Sequence, residues 1–108
     1  MAAQSDLLSA VAVVVSGIES ARVATYGDVA ARVGVGPRQA GRLVKLLPED
    51  VPWWCVVRAD GRPATCRGGR ADHLLRGDGV PMSGDRVDLA RARNRFPPTW
   101  HDPAAGSG

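Results

Sequence analysis

The apolar side chains between residues 7 and 18 recur every three or four positions, which predicts an amphipathic first helix. Ser5 or Asp6 can cap the N-terminus of this helix, and Gly17 lies near its end. A single apolar face of this kind is typical of a helix that packs against a core. We therefore expect the first helix to stabilise the fold without carrying chemistry of its own.

Two shorter helices are predicted next, separated by the Gly- and Pro-containing segment 34–37. Thr25 or the residues just after it can cap the first of them, whose apolar face includes Val29. Pro37 suits the first position of the second, which is predicted over residues 38–47. A short helix, a turn with glycine and a second helix with arginine near its start form the outline of a helix-turn-helix. Many helical hairpins share this outline, so it does not assign DNA binding by itself.

The second half of the chain predicts shorter elements. Residues 55–57 are predicted to be extended, and a turn follows from which a small hairpin, or wing, can return toward Cys66. The next predictions are a flexible loop, a short helix, an extended segment and a turn or strand, at residues 67–70, 71–76, 80–83 and 87–91. The Pro-, Gly- and Ala-rich residues 97–108 predict a tail that is disordered beyond Trp100.

Length and composition fit one small domain. The 108 residues are 44% hydrophobic and 23% charged, enough for a modest core without a metal or disulfide. No apolar run approaches the roughly 20 residues of a membrane span, and no secretory signal is recognisable at the N-terminus. We therefore expect a cytoplasmic protein without a membrane partner. Cys55 and Cys66 form neither a C-x-x-C motif nor a disulfide framework.

Basic side chains outnumber acidic ones by 14 to 11, which gives a formal net charge of +3. Arg58, Arg62, Arg67 and Arg70 share a Gly-rich stretch that contains only one acidic residue, Asp60. A local excess of this kind suits a polyanion, because each neutralised phosphate releases condensed counterions. Arg-rich proteins that bind no nucleic acid can have a similar charge, so charge alone does not decide the function.

Three motifs occur in order along the chain: Thr25-Tyr26-Gly27-Asp28-Val29-Ala30, Pro37-Arg38-Gln39-Ala40-Gly41 and Pro52-Trp53-Trp54-Cys55-Val56-Val57. Together they resemble the DNA-binding domain of O6-alkylguanine-DNA alkyltransferases and, within that superfamily, the alkyltransferase-like proteins. The resemblance covers about residues 6–96. It implies a mostly α, winged-helix-like domain over residues 1–96, with a helix-turn-helix and a small wing. It further implies a monomer without cofactor or metal, whose partner is double-stranded DNA carrying O6-alkylguanine in the bacterial nucleoid.

The residues after Pro52 carry the chemical prediction. The repair enzymes have a P-C-H-R-V motif, in which the cysteine thiolate accepts the alkyl group and the histidine supports its ionisation. Trp53 occupies the cysteine position here and Trp54 the histidine position, and an indole cannot act as that nucleophile. The alkyltransferase-like proteins share this tryptophan. The resemblance therefore implies no enzyme activity, a lesion pocket formed by Pro52, Trp53 and Trp54, and transfer of the lesion to another pathway such as nucleotide excision repair.

The resemblance also implies roles for residues of the two short helices. An arginine at the start of the second helix fills the gap left by the flipped nucleotide, and Arg38 matches it if the preceding turn is about two residues shorter than usual. If the turn has the usual length instead, Gly41 falls at the finger position and Arg42 lies next to it. Tyr26 is expected to press on the phosphate next to the target nucleotide. Further DNA contacts are predicted at Thr25, Gln39, Gly41, Arg42, Arg67 and Arg70, and the last two are the candidates for the basic loop residue that reaches the pocket.

Two other classes of function remain open. A winged-helix transcription regulator would use the same helices to read base edges, with Gln39 as the candidate reader, although no dimerisation helix is predicted. An enzyme would need Cys55 or Cys66 as the alkyl acceptor. Cys55 stands where the family usually has arginine, and no histidine flanks it. A cysteine in an apolar segment is most often a small buried hydrophobe.

Overall fold

Helices account for most of the regular structure between residues 4 and 94, the part of the chain that the computed structural model describes. The helices are α1 (Gln4–Ser16), α2 (Tyr26–Val33), α3 (Pro37–Lys45), α4 (Ala71–Gly77) and α5 (Leu89–Ala92). Short 3-10 turns lie at Trp53–Cys55 and Arg67–Gly69. The strands are β1 (Ala24–Thr25), β2 (Val56–Val57), β3 (Met82–Ser83) and β4 (Arg86–Val87). The side chains of residues 4 and 5 are outside this description.

The helix-turn-helix consists of α2 and α3, and its boundaries follow from local chemistry. Thr25 caps α2, and Gly34 ends it with a φ of +88°, a left-handed conformation that glycine adopts without strain. Gly36 precedes α3, and Pro37 occupies its first turn, where a missing N–H costs nothing. The turn between the helices therefore needs only three residues, 34–36. The predicted helix pair is confirmed, with α3 ending two residues earlier than expected.

One apolar cluster joins the first three helices. The buried face of α1 comprises Val11, Val14 and Val15 and, with Ile18 just after the helix, packs with the buried residues of α2 and α3. Trp53 lies in the same cluster. A second cluster around Leu75 joins α4 and α5 with β2, β3 and β4. Trp54 packs against both clusters. The two tryptophans therefore lie where the helix-turn-helix meets the second half of the chain.

The strands connect distant parts of the sequence. β1 pairs with β2 in parallel, with Ala24 opposite Val56 and Thr25 opposite Val57. This pairing places the start of α2 beside the segment that follows the tryptophans. β3 and β4 form an antiparallel hairpin, which is the small wing of the domain. Val23 and Arg93 form an isolated parallel bridge, so the end of the described chain lies next to the strand that precedes α2.

Several local predictions were wrong. Residues 53–55 form a 3-10 turn, so the extended segment is limited to Val56 and Val57. No hairpin returns toward Cys66, because β2 pairs with β1; the hairpin lies at residues 82–87 instead. α1 begins at Gln4, before both predicted caps, and residues 89–92 are helical rather than a turn or strand. The tail predicted over residues 97–108 lies outside the described residues.

Candidate nucleic-acid interface

Tyr26 is held at the start of α2 by a capping box. The Thr25 hydroxyl accepts a hydrogen bond from the Asp28 N–H at 3.0 Å, and the Thr25 N–H donates to Asp28 Oδ2 at 3.1 Å. The two bonds satisfy N–H groups that a helix terminus leaves unpaired. Thr25 is only 6% exposed and its hydroxyl is used inside the protein, so the structure gives it the role of a cap. The predicted contact between Thr25 and DNA stays a prediction, and the burial of Thr25 does not support it.

The Tyr26 ring lies against α3. A Cβ atom built on Gly41 would be 3.9 Å from Tyr26 Cδ1, an ordinary van der Waals distance, so the ring packs beside this residue of α3. Burial raises the pKa of Tyr26 above its usual value, with a smaller contribution in the same direction from Cys66. The phenol therefore stays protonated at neutral pH and can donate to an anionic oxygen. The structure thus brings together Tyr26 and Gly41, two of the residues for which sequence analysis predicts DNA contacts.

Asp28 also forms an ion pair that sequence analysis missed. Arg93 binds both oxygens of its carboxylate, with Nε donating to Oδ2 at 3.0 Å and Nη2 donating to Oδ1 at 2.5 Å. Partial burial favours a higher pKa for Asp28, but the bonds from Arg93 and Thr25 together lower it. The T-x-x-D spacing of a capping box is visible in the sequence. The pairing with Arg93 cannot be recognised in the sequence, because Arg93 lies 65 positions after Asp28.

The outer face of α3 carries free positive charge. Arg38, Gln39, Arg42 and Lys45 are exposed, while Ala40, Leu43 and Val44 face the core. Within the described part of the chain, none of the three cationic side chains takes part in an ion pair. Gly36 has no side chain with which to cap the positive N-terminal end of α3. Arg38 and Arg42 lie one turn apart on this face, so both remain candidates for the finger.

The two tryptophans meet edge to face, with ring centroids 5.7 Å apart and planes at 89°. Trp53 is 1% exposed, whereas Trp54 is half-buried and donates from Nε1 to Asp78 Oδ2 at 2.7 Å. Pro52, which precedes them, is half-buried. The pocket predicted from these three residues is therefore closed at Trp53 in this structure. A base could contact that indole only after the side chains covering it had moved.

The loop arginines cover Trp53. The Arg67 guanidinium lies 4.7 Å from the centre of the Trp53 ring and that of Arg70 lies 5.6 Å from it. Arg67 Nη1 donates to Glu49 Oε2 at 2.6 Å, and Arg70 forms a second short bond to the same carboxylate. The bond from Arg70, and after it the bond from Arg67, lower the pKa of Glu49. The structure brings both predicted loop residues to the tryptophan and pairs both with protein acceptors, which sequence analysis did not foresee.

Cys55 does not have the environment of an activated thiol. Cys55 is buried, and this burial raises its pKa to about 12. Cys66 is partly exposed. Among residues 4–94, no three His, Cys, Asp or Glu side chains group as a metal site would require. No helix in the same range has both the length and the apolar character that crossing a bilayer demands.

These features define a small DNA-binding domain with a closed aromatic site beside its helix-turn-helix. Residues 6–80 match the family model of the 6-O-methylguanine DNA methyltransferase DNA-binding domain, and the chain belongs to that family. The fold is similar to that of S. pombe Atl1 in complex with damaged DNA containing O6-carboxymethylguanine, with a TM-score of 0.76 and 24% identity over 88% of this chain and 99% of that one. A second S. pombe ATL–DNA complex matches with a TM-score of 0.75 and 25% identity over the same shares. Comparison with curated protein sequences found no match.

The matches confirm the resemblance to alkyltransferase-like proteins and the helix-turn-helix fold. They do not test the roles of individual residues. The finger, the phosphate contact of Tyr26, the lesion pocket and the other DNA contacts therefore stay predictions.

Proposed function

We propose that this protein binds O6-alkylguanine in duplex DNA by nucleotide flipping and leaves the alkyl group in place. The observation that carries the proposal is the cationic face of α3, which is exposed next to Tyr26 and forms no ion pair within the described part of the chain. The resemblance, which aligns Trp53 with the family's nucleophilic cysteine, supports binding without alkyl transfer. The likeness to the complex of S. pombe Atl1 with DNA containing O6-carboxymethylguanine supports the choice of ligand.

The arrangement suggests how the two helices would divide the work. Arg38 and Arg42 on α3 would lie against the DNA, where one of them enters the base stack. Tyr26, one helix away, would donate to the phosphate beside the target and support rotation of the nucleotide. Flipping costs a few kcal/mol of unstacking, and less for a base that already pairs badly. An alkylated guanine would therefore be favoured before it reaches any pocket.

Binding without repair follows from the chemistry of the available groups. Alkyl transfer needs a thiolate with a base close by. In the alignment that the resemblance implies, Trp53 would offer an indole at the position of the thiol, and Trp54 would stand where the family has the histidine that serves as the base. The buried Cys55, with a pKa of about 12, is almost entirely protonated at neutral pH. The lesion would thus persist in the complex, and we propose that another pathway, such as nucleotide excision repair, removes it.

One lesion has no two-fold symmetry, so one copy of the domain is sufficient to bind it. We propose accordingly that the protein acts as a monomer. The site of action would be the bacterial nucleoid in the cytoplasm, where the DNA is.

The test of this proposal is a comparison of variants on one duplex with a single O6-methylguanine. Arg38→Ala should weaken binding at least tenfold, about 1.4 kcal/mol, because it removes both a charge and the group that fills the stack. The matched control is Arg62→Ala, which removes an equal charge from a loop arginine paired with Asp60. Equal losses in the two variants would overturn the finger assignment. If Arg42→Ala gives the large loss instead, Arg42 is the finger.

A further inference from the structure

The C-terminal end of α3 is closed by a side chain from a distant loop. A helix leaves its last carbonyl oxygens without partners inside the helix. Arg67 Nη2 donates to three carbonyl oxygens there, those of Val44 at 3.2 Å, Lys45 at 3.0 Å and Leu47 at 2.6 Å. The positive guanidinium also lies at the negative end of the helix dipole. One arginine thus adds a donor to three carbonyl oxygens at this end of α3, of which that of Val44 also accepts from the backbone N–H groups of Leu46 and Leu47.

Arg67 is held in place more firmly than a surface arginine. Its side chain is 15% exposed, stacks on Trp53 and is paired with Glu49. Its backbone has a φ of +56°, a left-handed conformation that is uncommon for a residue with a side chain. Its Nε is buried without a hydrogen-bond partner in the described structure. The fold accepts both unfavourable features to keep the guanidinium between Trp53 and α3.

We propose that Arg67 is a positioning residue, which ties the C-terminal end of α3 to Trp53 and so sets where Arg38 meets the DNA. The proposal rests on the function proposed above for its effect on lesion binding. α3 has nine residues and is roughly 13 Å long, so a tilt of about 10° at its C-terminal end would move Arg38 by roughly 2 Å. Arg67 acts on binding through this geometry, without a phosphate contact of its own.

Salt dependence separates the two roles. An arginine that neutralises a phosphate contributes about 0.9 to the slope of log K against log salt, and its removal lowers the slope by that amount. A positioning residue changes the affinity and leaves the slope as it was. The control for binding is Arg62→Ala, which removes an equal charge from a loop arginine that pairs with Asp60. The control for hydrogen exchange is Arg70→Ala: Arg70 belongs to the same loop as Arg67, lies over the same tryptophan and pairs with the same Glu49, but donates to no carbonyl of α3.

The first experiment measures binding of an O6-methylguanine duplex at several salt concentrations. Arg67→Ala is expected to weaken binding about tenfold, equivalent to about 1.4 kcal/mol, with the slope of the wild type, and Arg62→Ala less than threefold. In an Arg38→Ala background, Arg67→Ala should cost less than threefold, because positioning a residue that is absent has no value. A slope lowered by about 0.9, or an undiminished tenfold loss in the Arg38→Ala background, would overturn the proposal.

A conservative variant guards against simple loss of folding. Arg67→Lys keeps the charge but replaces a planar fork with a point donor, which cannot reach the same set of carbonyls while stacked on Trp53. It should lose at least fivefold in affinity at an unchanged slope. Retention of wild-type affinity by this variant would show that charge alone matters and would contradict positioning.

Hydrogen exchange in the free protein tests the same claim without DNA. Amides of α3 should exchange at least tenfold faster in Arg67→Lys than in the wild type, while Arg70→Ala leaves them unchanged. Unchanged exchange in Arg67→Lys would overturn the proposal. If the wild type instead bound alkylated and normal duplexes equally, the proposed function would fail, and hydrogen exchange would still decide the role of Arg67.

Discussion

Cys55 should remain unmodified when the protein is mixed with alkylated DNA. Its pKa of about 12 leaves roughly one thiol in 10⁵ ionised at pH 7. A thiol with the ordinary pKa of about 8.5 is ionised in about three molecules in a hundred at the same pH. The thiolate population of Cys55 is therefore lower by roughly three thousandfold, before the limited access to a buried sulfur is counted.

Mass spectrometry can follow the two cysteines separately. Trypsin releases Cys55 in the peptide of residues 46–58 and Cys66 in that of residues 59–67, because Pro63 blocks cleavage after Arg62. The protein is incubated with an O6-methylguanine duplex and, in a parallel sample, with iodoacetamide. No methyl group should appear on either peptide, and iodoacetamide should label Cys66 well before Cys55.

The control is the same labelling in denaturant, where both cysteines should react at similar rates because burial no longer raises the pKa of Cys55. A methyl group on residues 46–58 after incubation with the alkylated duplex would refute the reasoning. The protein would then be an alkyltransferase with a displaced nucleophile. Native labelling of Cys55 as fast as Cys66 would show that its burial does not suppress the thiolate.

Two further predictions concern stability. The pKa of Asp28 is lower in the folded protein than in the unfolded chain, so its pairing with Arg93 stabilises the fold at pH values above the unfolded pKa of about 4 and is lost as the pH falls through the folded pKa. Asp28→Asn should therefore lower the free energy of unfolding by about 1 kcal/mol at pH 7 and make that free energy less dependent on pH in the acid range. Urea titrations that show an unaltered pH profile would contradict this. Gly61→Ala should cost about 1–3 kcal/mol in thermal unfolding, because its φ is +90° and a Cβ would lie 2.5 Å from the Val87 carbonyl oxygen, whereas Gly77→Ala, with open space around the site, should be nearly neutral.

Local signals were sufficient for the helix-turn-helix. Glycine and proline bracket the turn at residues 34–37, and the Thr25–Asp28 spacing specifies a capping box, so both helices could be predicted from short stretches. The resemblance then placed Tyr26 and Arg38 in one site. The Tyr26 ring lies against α3, since a Cβ built on Gly41 would be 3.9 Å from its Cδ1, and the roles of Tyr26 and Arg38 stay predictions.

The features that sequence analysis missed depend on distant residues. The segment Trp53–Cys55 has strand-forming side chains but forms a 3-10 turn, and tertiary packing commonly overrides so weak a preference. Arg67 reaches carbonyl groups 20 to 23 positions away and adopts a backbone conformation that arginine rarely takes. Its local sequence, with two glycines following, indicated a flexible loop instead.

The central claim is that the protein recognises an altered base. The most direct test is competition binding at fixed salt between a duplex containing one O6-methylguanine and the same duplex containing guanine. The account predicts at least tenfold tighter binding to the alkylated duplex, or about 1.4 kcal/mol, whatever the flanking sequence. Equal affinity for the two duplexes, with a steep dependence on salt, would contradict it and leave a basic DNA-binding domain without lesion recognition.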